Sequence, residues 1–209
     1  MSNTVRFYFS FRSPYSWLAF YRISKIMDDL PIEFEFIPVY PPKEFENDPK
    51  KNIRKTVYIG EDIKRFADAY GLELSWPKPF DINWAIPHAA YIYAEEKGKG
   101  LEFILESYIC RFSSGLDIAT TEVLKCIASS CDLNDIELID ASLSPKYREQ
   151  LEKRMAQGNK DKIFGAPFFI YQGQKYWGND RLEWLLRDIM VNTKQAVPDL
   201  KSDLFLRPY

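Results

Sequence analysis

The 209-residue chain contains one histidine and three cysteines, and this scarcity excludes several kinds of site. His88 alone cannot build an HExxH zinc site or a multi-histidine metal centre, so no metal site is expected. Cys110, Cys126 and Cys131 include no CxxC pair, which argues against a thioredoxin-type redox couple and a zinc ribbon. We interpret the cysteines as small buried hydrophobic residues, which are typical of a reducing compartment.

Glycine is scarce as well, and the charges nearly balance. The nine glycines form neither GxGxxG nor GxxxxGK[ST], so neither a dinucleotide loop nor a P-loop is supported. Lys plus Arg total 28 and Asp plus Glu total 30, which gives a net charge of −2 and argues against a nucleic-acid partner. The sequence shows no signal-peptide pattern and no run near the roughly 18 apolar residues of a membrane helix. We therefore expect a cytoplasmic protein without a membrane partner.

The first 40 residues predict a strand, a helix and a second strand. Val5 to Phe11 is rich in β-branched and aromatic residues, which favours a buried strand. Ser13-Pro14 is a typical helix start, and the apolar spacing that follows predicts a helix over about 14–29. Residues 32–39 alternate apolar and acidic side chains, as a half-exposed strand does. One helix between two strands normally makes the strands parallel neighbours.

Helical spacing dominates the middle of the chain, and strands return near its end. A hairpin is predicted from two short strands around Gly173, followed by a last helix in which Asp180 and Glu183 form a capping box. The order βαβ, helices, ββα is the thioredoxin arrangement with a large all-helical insertion, an α/β fold. We assign 1–45 and 160–209 to the thioredoxin-like domain and 46–159 to the insertion. The predicted helices of the insertion cover 53–70, 84–97, 101–112, 120–130, 134–143 and 145–157, and the hairpin strands cover 167–172 and 174–177.

Four segments carry a resemblance that spans nearly the whole chain. FYFSFRSPYSWLA near the start and FGAPFFIYQGQKYWGNDRLEWL near the end are the most specific, and YIGEDIKRFADAYG and SSGLDIATTEVLKCIASSCDL lie between them. Together they resemble the family of 2-hydroxychromene-2-carboxylate isomerases and kappa-class glutathione transferases, relatives of bacterial disulfide oxidoreductases. The resemblance implies glutathione as cofactor and a small aromatic or conjugated electrophile as substrate. Members of the family are commonly dimers, so a homodimer is a candidate assembly.

Ser13 is the candidate catalytic residue. It lies where a strand ends and a helix begins, so its hydroxyl and the free amides of the helix N-terminus favour an anion. A helix cap alone would also explain Ser13, because Ser144-Pro145 shows the same pattern without any associated chemistry. The resemblance implies that Ser13 donates a hydrogen bond to a glutathione thiolate and is not itself a nucleophile.

The resemblance also implies the residues that bind glutathione. If the Ala166-Pro167 bond is cis, the backbone of Ala166 can pair with the cysteinyl unit of glutathione. Asn179 and Asp180 match positions that contact the γ-glutamyl end. Either Asn52 or Asn47 matches the family's glutathione-binding asparagine. A basic cluster follows in the same region and is either solvated surface or an attractor of carboxylates; it consists of Lys50, Lys51, Arg54 and Lys55.

The candidate substrate residues are Tyr15, Asn83 and Trp84, with Trp17 and Tyr58 as further aromatic candidates by position. Arg12 stands where the family has a small or apolar residue, which either strengthens thiolate stabilisation or marks a different substrate. The implied activity is glutathione-dependent isomerisation of a conjugated carbonyl compound by reversible thiolate addition. The alternatives are a kappa-like transferase that releases a stable conjugate and a non-catalytic glutathione-binding or protein-binding scaffold.

Overall fold

A four-stranded mixed sheet lies at the centre of the described chain. The computed structural model describes residues 3–41 and 52–194. The strands are arranged in the order β2-β1-β3-β4, where β1 and β2 are parallel and the other two pairs are antiparallel. The parallel first pair and the terminal hairpin confirm the predicted βαβ and ββα order. The strands are β1 (Thr4–Phe9), β2 (Glu33–Pro38), β3 (Phe168–Tyr171) and β4 (Gln174–Trp177).

Helices fill the chain between β2 and β3 and complete both ends of the fold. Short 3-10 turns cover Met27–Asp29 and Asn179–Arg181, and a π-helical turn covers Ile109–Ser113. In the part of the chain that the structure describes, the α-helices are α1 (Pro14–Ser24), α2 (Ile53–Tyr70), α3 (Ala85–Glu96), α4 (Gly100–Tyr108), α5 (Thr121–Ser130), α6 (Asp135–Leu143), α7 (Pro145–Lys160) and α8 (Leu182–Thr193). None of these helices is long and apolar enough to cross a membrane. The boundary between the two assigned domains stays a prediction.

Local signals set most of the element ends. Helix α2 begins after Asn52, whose side chain accepts the Lys55 amide, and ends at Gly71 with φ +66°, a left-handed conformation that favours glycine. The β3–β4 hairpin turns through Gln172 and Gly173, both with positive φ, as a two-residue turn requires. The predicted first strand is two residues too long, because the chain leaves the sheet after Phe9 to form the turn that precedes α1.

The two faces of the sheet have separate apolar cores. Phe7 and Phe9 of β1 face the larger core, which also contains the buried faces of α1, α3 and α8. Tyr8 of β1 points to the opposite face and packs with β2 and β3 residues such as Ile37 and Phe168. This alternation follows from the two-residue period of a strand. Because both faces of β1 are covered, the turn at its carboxyl end is held in a fixed place.

Candidate functional site

The turn from Ser10 to Ser13 joins β1 to α1 and is held by hydrogen bonds on both sides. The Ser13 amide donates to the Ser10 carbonyl at 3.0 Å, and the Arg12 amide donates to Ser10 Oγ at 3.3 Å. Tyr108, fully buried in α4, donates its hydroxyl to the Ser10 carbonyl at 3.1 Å. The backbone that presents Ser13 is therefore fixed before any ligand binds.

Ser13 caps α1 and reaches across to the loop before β3. Its Oγ accepts the Ser16 amide at 3.2 Å and donates to the Ala166 carbonyl at 2.9 Å. Pro14 has no N–H, and the Ser16 and Trp17 amides donate to the Ser13 carbonyl. The Tyr15 amide is therefore the first-turn N–H that has no acceptor among the described residues. The predicted capping role of Ser13 is confirmed. The hydrogen bond to Ala166, 153 positions away, is not part of this cap and could not be predicted from local sequence.

The Ala166–Pro167 peptide bond is cis and lies opposite the N-terminus of α1. The Gly178 amide donates to the Pro167 carbonyl at 3.0 Å, which ties this loop to the end of β4. Position 165, just before Ala166, requires glycine because a Cβ there would lie 2.6 Å from Nε1 of Trp177. The Ala166 carbonyl is occupied by the Ser13 hydroxyl. Pairing of the Ala166 backbone with glutathione stays a prediction.

A cavity of about 980 Å³ opens over the Ser13–Ala166 contact. Its walls are largely apolar, and among the described lining residues the charged side chains are Arg12 and Lys55, with no carboxylate. Asn52 also lines the cavity. The aromatic lining residues are Tyr15, Tyr40, Trp76, Phe80, Phe164 and Trp177. This volume is at the upper end of the range for small-molecule sites, and the composition suits a planar apolar ligand that carries negative charge.

Tyr15 lines the cavity but uses its hydroxyl within the protein. It donates to Oδ2 of Asp62 in α2 at 2.7 Å. Burial raises the pKa of the Tyr15 phenol well above its ordinary value, and the hydrogen bond to Asp62 raises it further. Tyr15 is therefore neutral at physiological pH and joins α1 to α2. The role of Asp62 was not predicted, because its partner Tyr15 lies 47 positions away in the sequence.

Arg12 and Asp81 form a second polar pair at the cavity. Arg12 Nε donates to Asp81 Oδ1 at 3.4 Å, and the guanidinium lies 5.9 Å from the centre of the Phe80 ring. Asp81 also accepts the Trp84 indole N–H at 2.9 Å. Arg12 was identified as a departure from the family pattern, whereas Asp81 and Phe80 were missed, since their approach to Arg12 depends on the path of the loop before α3.

The structure places the other predicted substrate residues outside the cavity lining. Trp84 is 7% exposed and packs in the core beside Asp81, while Asn83 is exposed at the start of α3. Trp17 is buried and stacks on Phe112 at 5.4 Å between ring centres. Tyr58 is exposed on α2 and does not line the cavity. Of the predicted substrate residues, only Tyr15 is among the described residues that line the cavity.

The predicted γ-glutamyl residues lie beyond the cavity lining. Asn179 is 2% exposed, and its backbone and side-chain oxygens both accept from buried Arg22, at 2.7 and 3.1 Å. The predicted capping box is wrong: α8 begins at Leu182 with no side-chain cap, and Glu183 pairs with Arg22. Asp180 is exposed, pairs with Arg181 and lies near enough to raise the pKa of the Tyr15 hydroxyl slightly.

The basic cluster is described in part. Arg54 and Lys55 are exposed on the first turn of α2, and Lys55 lines the cavity. Lys50, Lys51 and the alternative asparagine, Asn47, lie outside the described residues.

The three cysteines, which were all expected to be buried, differ in exposure. Cys131 is buried and Cys110 is half-buried, but Cys126 is exposed on α5, so its predicted burial is wrong. All three are free thiols, and none lines the cavity. Burial raises the pKa of Cys110 to about 11 and that of Cys131 to about 12, which keeps both thiols protonated at neutral pH.

His88 is a structural residue held in one neutral form. The Phe11 amide donates to its Nε2 at 3.3 Å, so Nε2 carries no proton and Nδ1 donates to the Trp84 carbonyl at 2.6 Å. Complete burial lowers the pKa of His88 to about 4. The ring therefore cannot serve as a base for Ser13, because Nε2 is already occupied.

We expect His88 to stay neutral in the folded protein at pH 5–8. Since the unfolded chain binds this proton near pH 6.5 and the folded chain near 4, the free energy of unfolding should fall by about 3 kcal/mol as the pH falls from 7 to 4. The single histidine gives one imidazole signal, which makes NMR titration unambiguous. A midpoint above pH 6 would contradict the assigned hydrogen bonds.

The comparisons with known proteins agree with this architecture. Two proteins named 2-hydroxychromene-2-carboxylate isomerase are each 26% identical to the chain: one from Sphingobium xenophagum, covering 88% of this chain and 97% of its own, and one from Pseudomonas putida, covering 95% and 99%. A solved 2-hydroxychromene-2-carboxylate isomerase superposes with a TM-score of 0.80 at 20% identity, over 92% of this chain and 99% of its own.

Disulfide-handling proteins share the fold. A cytosolic disulfide reductase from Pseudomonas aeruginosa, solved with GSH, superposes with a TM-score of 0.65 at 14% identity and covers 91% of this chain and 97% of its own. Residues 4–190 match the DSBA-like thioredoxin domain. The predicted thioredoxin-like fold and the family resemblance are therefore confirmed, and the chain belongs to the DSBA-like thioredoxin domain family, among relatives that include 2-hydroxychromene-2-carboxylate isomerases.

Proposed function

We propose that this protein is a glutathione-dependent isomerase that acts on an aromatic or conjugated carbonyl compound by reversible thiolate addition. The observation that carries the proposal is the position of the Ser13 hydroxyl. It lies at the N-terminus of α1, 2.9 Å from the Ala166 carbonyl, beneath a cavity with no carboxylate among its described lining residues. The isomerase names of the curated relatives support the same activity.

The residues of the cavity fit glutathione. The Ala166 backbone lies opposite the helix N-terminus, where an extended peptide could lie as an added strand. Asn52 lines the same cavity and offers its amide N–H, since its Oδ1 already accepts the Lys55 amide. Asp180, close to Tyr15, places negative charge near the cavity and would face the ammonium of the γ-glutamyl unit. The volume leaves room for a second small molecule beside the tripeptide.

Glutathione, when bound, would supply a thiolate that adds reversibly to the substrate. Ser13 would then turn its hydroxyl proton from the Ala166 carbonyl to the sulfur, because one O–H has a single proton to donate. The unused Tyr15 amide and the positive end of α1 stabilise the same anion. The aromatic walls would hold a planar substrate near Ser13, within reach of the bound thiolate.

A thiol-disulfide activity receives little support from the geometry. Ser13 occupies the N-cap position of α1, where the helix N-terminus would lower the pKa of a redox thiol. Cys110 and Cys131 have raised pKa values instead, and no cysteine lines the cavity.

Calorimetric titration of the protein with reduced glutathione tests the cofactor, and absorbance of 2-hydroxychromene-2-carboxylate with and without glutathione tests the reaction. We expect saturable binding and isomerisation that depends on glutathione. Absence of binding would refute the proposal. Binding together with a stable conjugate of chloro-dinitrobenzene, but no isomerisation, would indicate a kappa-like transferase, and binding without either reaction would indicate a scaffold.

A further inference from the structure

Two hydroxyl side chains follow the carboxyl ends of the parallel strands β1 and β2. Ser10 comes directly after Phe9, the last residue of β1, and Tyr40 lies two residues after Pro38, the last residue of β2. Phe9 and Pro38 are partners in the sheet, and the Val39 amide donates to the Phe9 carbonyl at 2.8 Å. Ser10 and Tyr40 therefore lie at the same edge of the sheet, and both line the cavity. In α/β folds, ligands commonly bind beyond this end of parallel strands.

Neither hydroxyl spends its proton on the protein. Ser10 is 3% exposed, and its Oγ accepts the Arg12 amide at 3.3 Å but donates to no residue in 3–41 or 52–194. The hydroxyl of half-buried Tyr40 makes no hydrogen bond within the same ranges. Burial raises the pKa of Tyr40 above its ordinary value, so the phenol keeps its proton at neutral pH. Both groups are donors that lack an acceptor, and buried donors normally have one.

The remaining hydroxyls of the described cavity lining are already committed as donors. They are those of Ser13, which donates to the Ala166 carbonyl, Tyr15, which donates to Asp62, and Thr56, which donates to the Asn52 carbonyl. Ser10 and Tyr40 are thus the hydroxyls of the described lining that can donate to a ligand without breaking a hydrogen bond.

The surrounding residues hold both donors in place. The Ser10 carbonyl accepts the Tyr108 hydroxyl at 3.1 Å and the Ser13 amide at 3.0 Å, so the backbone of Ser10 is fixed next to Ser13. The Tyr40 ring packs against the buried ring of His88, with 5.4 Å between ring centres. Donors held in this way need no reorganisation when charge develops beside them.

Reversible addition of a thiolate to a conjugated carbonyl compound creates such a charge. When the sulfur adds to the β-carbon, a C–S bond forms and the electron pair of the C=C bond moves through the conjugated system onto the carbonyl oxygen, which leaves an enolate. After rotation about the former double bond, the pair returns, the C–S bond breaks and the thiolate leaves. Donors at the carbonyl oxygen stabilise the enolate more than the uncharged ground state.

We propose that Tyr40 and Ser10 form an oxyanion site that donates hydrogen bonds to the carbonyl oxygen of the electrophile as that oxygen gains charge. The two are then catalytic residues in addition to Ser13, which serves the sulfur. For the reaction this inference rests on the proposed function. The recognition of an oxyanion, however, can be measured without glutathione and without turnover.

The test is calorimetric titration with 4-nitrophenolate, an enolate mimic, and with 4-nitrotoluene, in which a methyl group replaces the charged oxygen. We expect the wild type to prefer the phenolate. Tyr40→Phe should weaken phenolate binding about tenfold and Ser10→Ala about threefold, with 4-nitrotoluene unchanged. Tyr21→Phe is the matched control, because Tyr21 is also half-buried and its hydroxyl makes a long 3.5 Å contact with the Tyr70 carbonyl, but it does not line the cavity.

A second measurement separates this role from a structural one. Because the Tyr40 hydroxyl has no partner in the described residues, Tyr40→Phe should leave the urea midpoint of unfolding unchanged. In the glutathione-dependent reaction it should lower kcat about tenfold without changing KM for glutathione, since the enolate exists only after addition.

Several results would overturn the inference. These are equal affinity of the wild type for both ligands, equal weakening of both by Tyr40→Phe, a lower urea midpoint in that variant, and a larger loss of phenolate binding in Arg12→Gln than in Tyr40→Phe. An unchanged kcat in Tyr40→Phe would overturn it as well. Failure of the proposed function is a separate result, which would appear as no binding of glutathione while the phenolate titrations keep their pattern.

Discussion

Ser13→Ala is expected to lower kcat/KM for glutathione-dependent isomerisation of 2-hydroxychromene-2-carboxylate by about 100-fold. The hydroxyl is the side-chain donor at the N-terminus of α1, and a hydrogen bond to a charged group contributes about 1.5–3 kcal/mol. Each 1.36 kcal/mol lost from the transition state is a factor of about ten in rate. The pH profile should shift as well, because a thiolate that has lost a donor forms at higher pH.

Ser144→Ala is the matched control for the loss of a helix cap. Ser144 precedes Pro145 and caps α7 by accepting the Lys146 amide at 3.2 Å, but within residues 3–41 and 52–194 it donates no long-range hydrogen bond like that of Ser13 to Ala166. Both substitutions should lower the free energy of unfolding by about 1 kcal/mol in urea. Only Ser13→Ala should change the kinetics. Equal rates in the two variants and the wild type would mean that Ser13 is a cap and has no part in the reaction.

Arg111→Met is expected to lower the free energy of unfolding by about 3 kcal/mol, the largest stability effect among these variants. Arg111 is 1% exposed and donates to the carbonyls of Pro79, Phe80 and Leu116, so removal of its guanidinium leaves buried acceptors without donors. Burial lowers its pKa to about 10, which leaves it charged at neutral pH. Urea unfolding followed by circular dichroism measures the loss.

Hydrogen exchange locates the consequence of that substitution. The Lys78 amide donates to the Gly115 carbonyl at 3.2 Å, within the loop that Arg111 holds and that carries Phe80 to the cavity. We expect this amide to exchange faster in Arg111→Met, while amides of β1 change only with global stability. Arg187→Met, on the surface of α8, should change stability by less than about 0.5 kcal/mol. An effect of Arg111→Met as small as that would show that the loop does not depend on the guanidinium.

Ser13 and Ser144 share a local sequence pattern but differ in their tertiary contacts. Both belong to a Ser-Pro pair, both were expected to cap a helix, and both do so. The feature that separates them is the hydrogen bond from Ser13 to Ala166, which joins residues 153 positions apart. The position of Ser13 between a strand and a helix favoured an anion site, and the family resemblance assigned the thiolate chemistry to it.

The incorrect expectation for Asp180 has a related cause. The spacing of Asp180 and Glu183 is that of a capping box, but Glu183 is drawn to Arg22, a buried cation from α1 that needs a carboxylate partner. A buried charge outweighs a surface cap, because an unpaired charge in the core costs several kcal/mol and a cap contributes about one. The sequence could not show that Arg22 would be buried at this point.

The sequence by itself determined those features whose hydrogen bonds join residues only a few positions apart. Helix α2 begins at the Asn52 cap and ends at Gly71, and the β3–β4 hairpin turns at Gly173, because each of these bonds joins neighbours along the chain. The tertiary structure alone decided which side chains meet in the cavity. Arg12 reaches Asp81 across 69 positions and Tyr15 reaches Asp62 across 47, and such approaches depend on the packing of several elements at once.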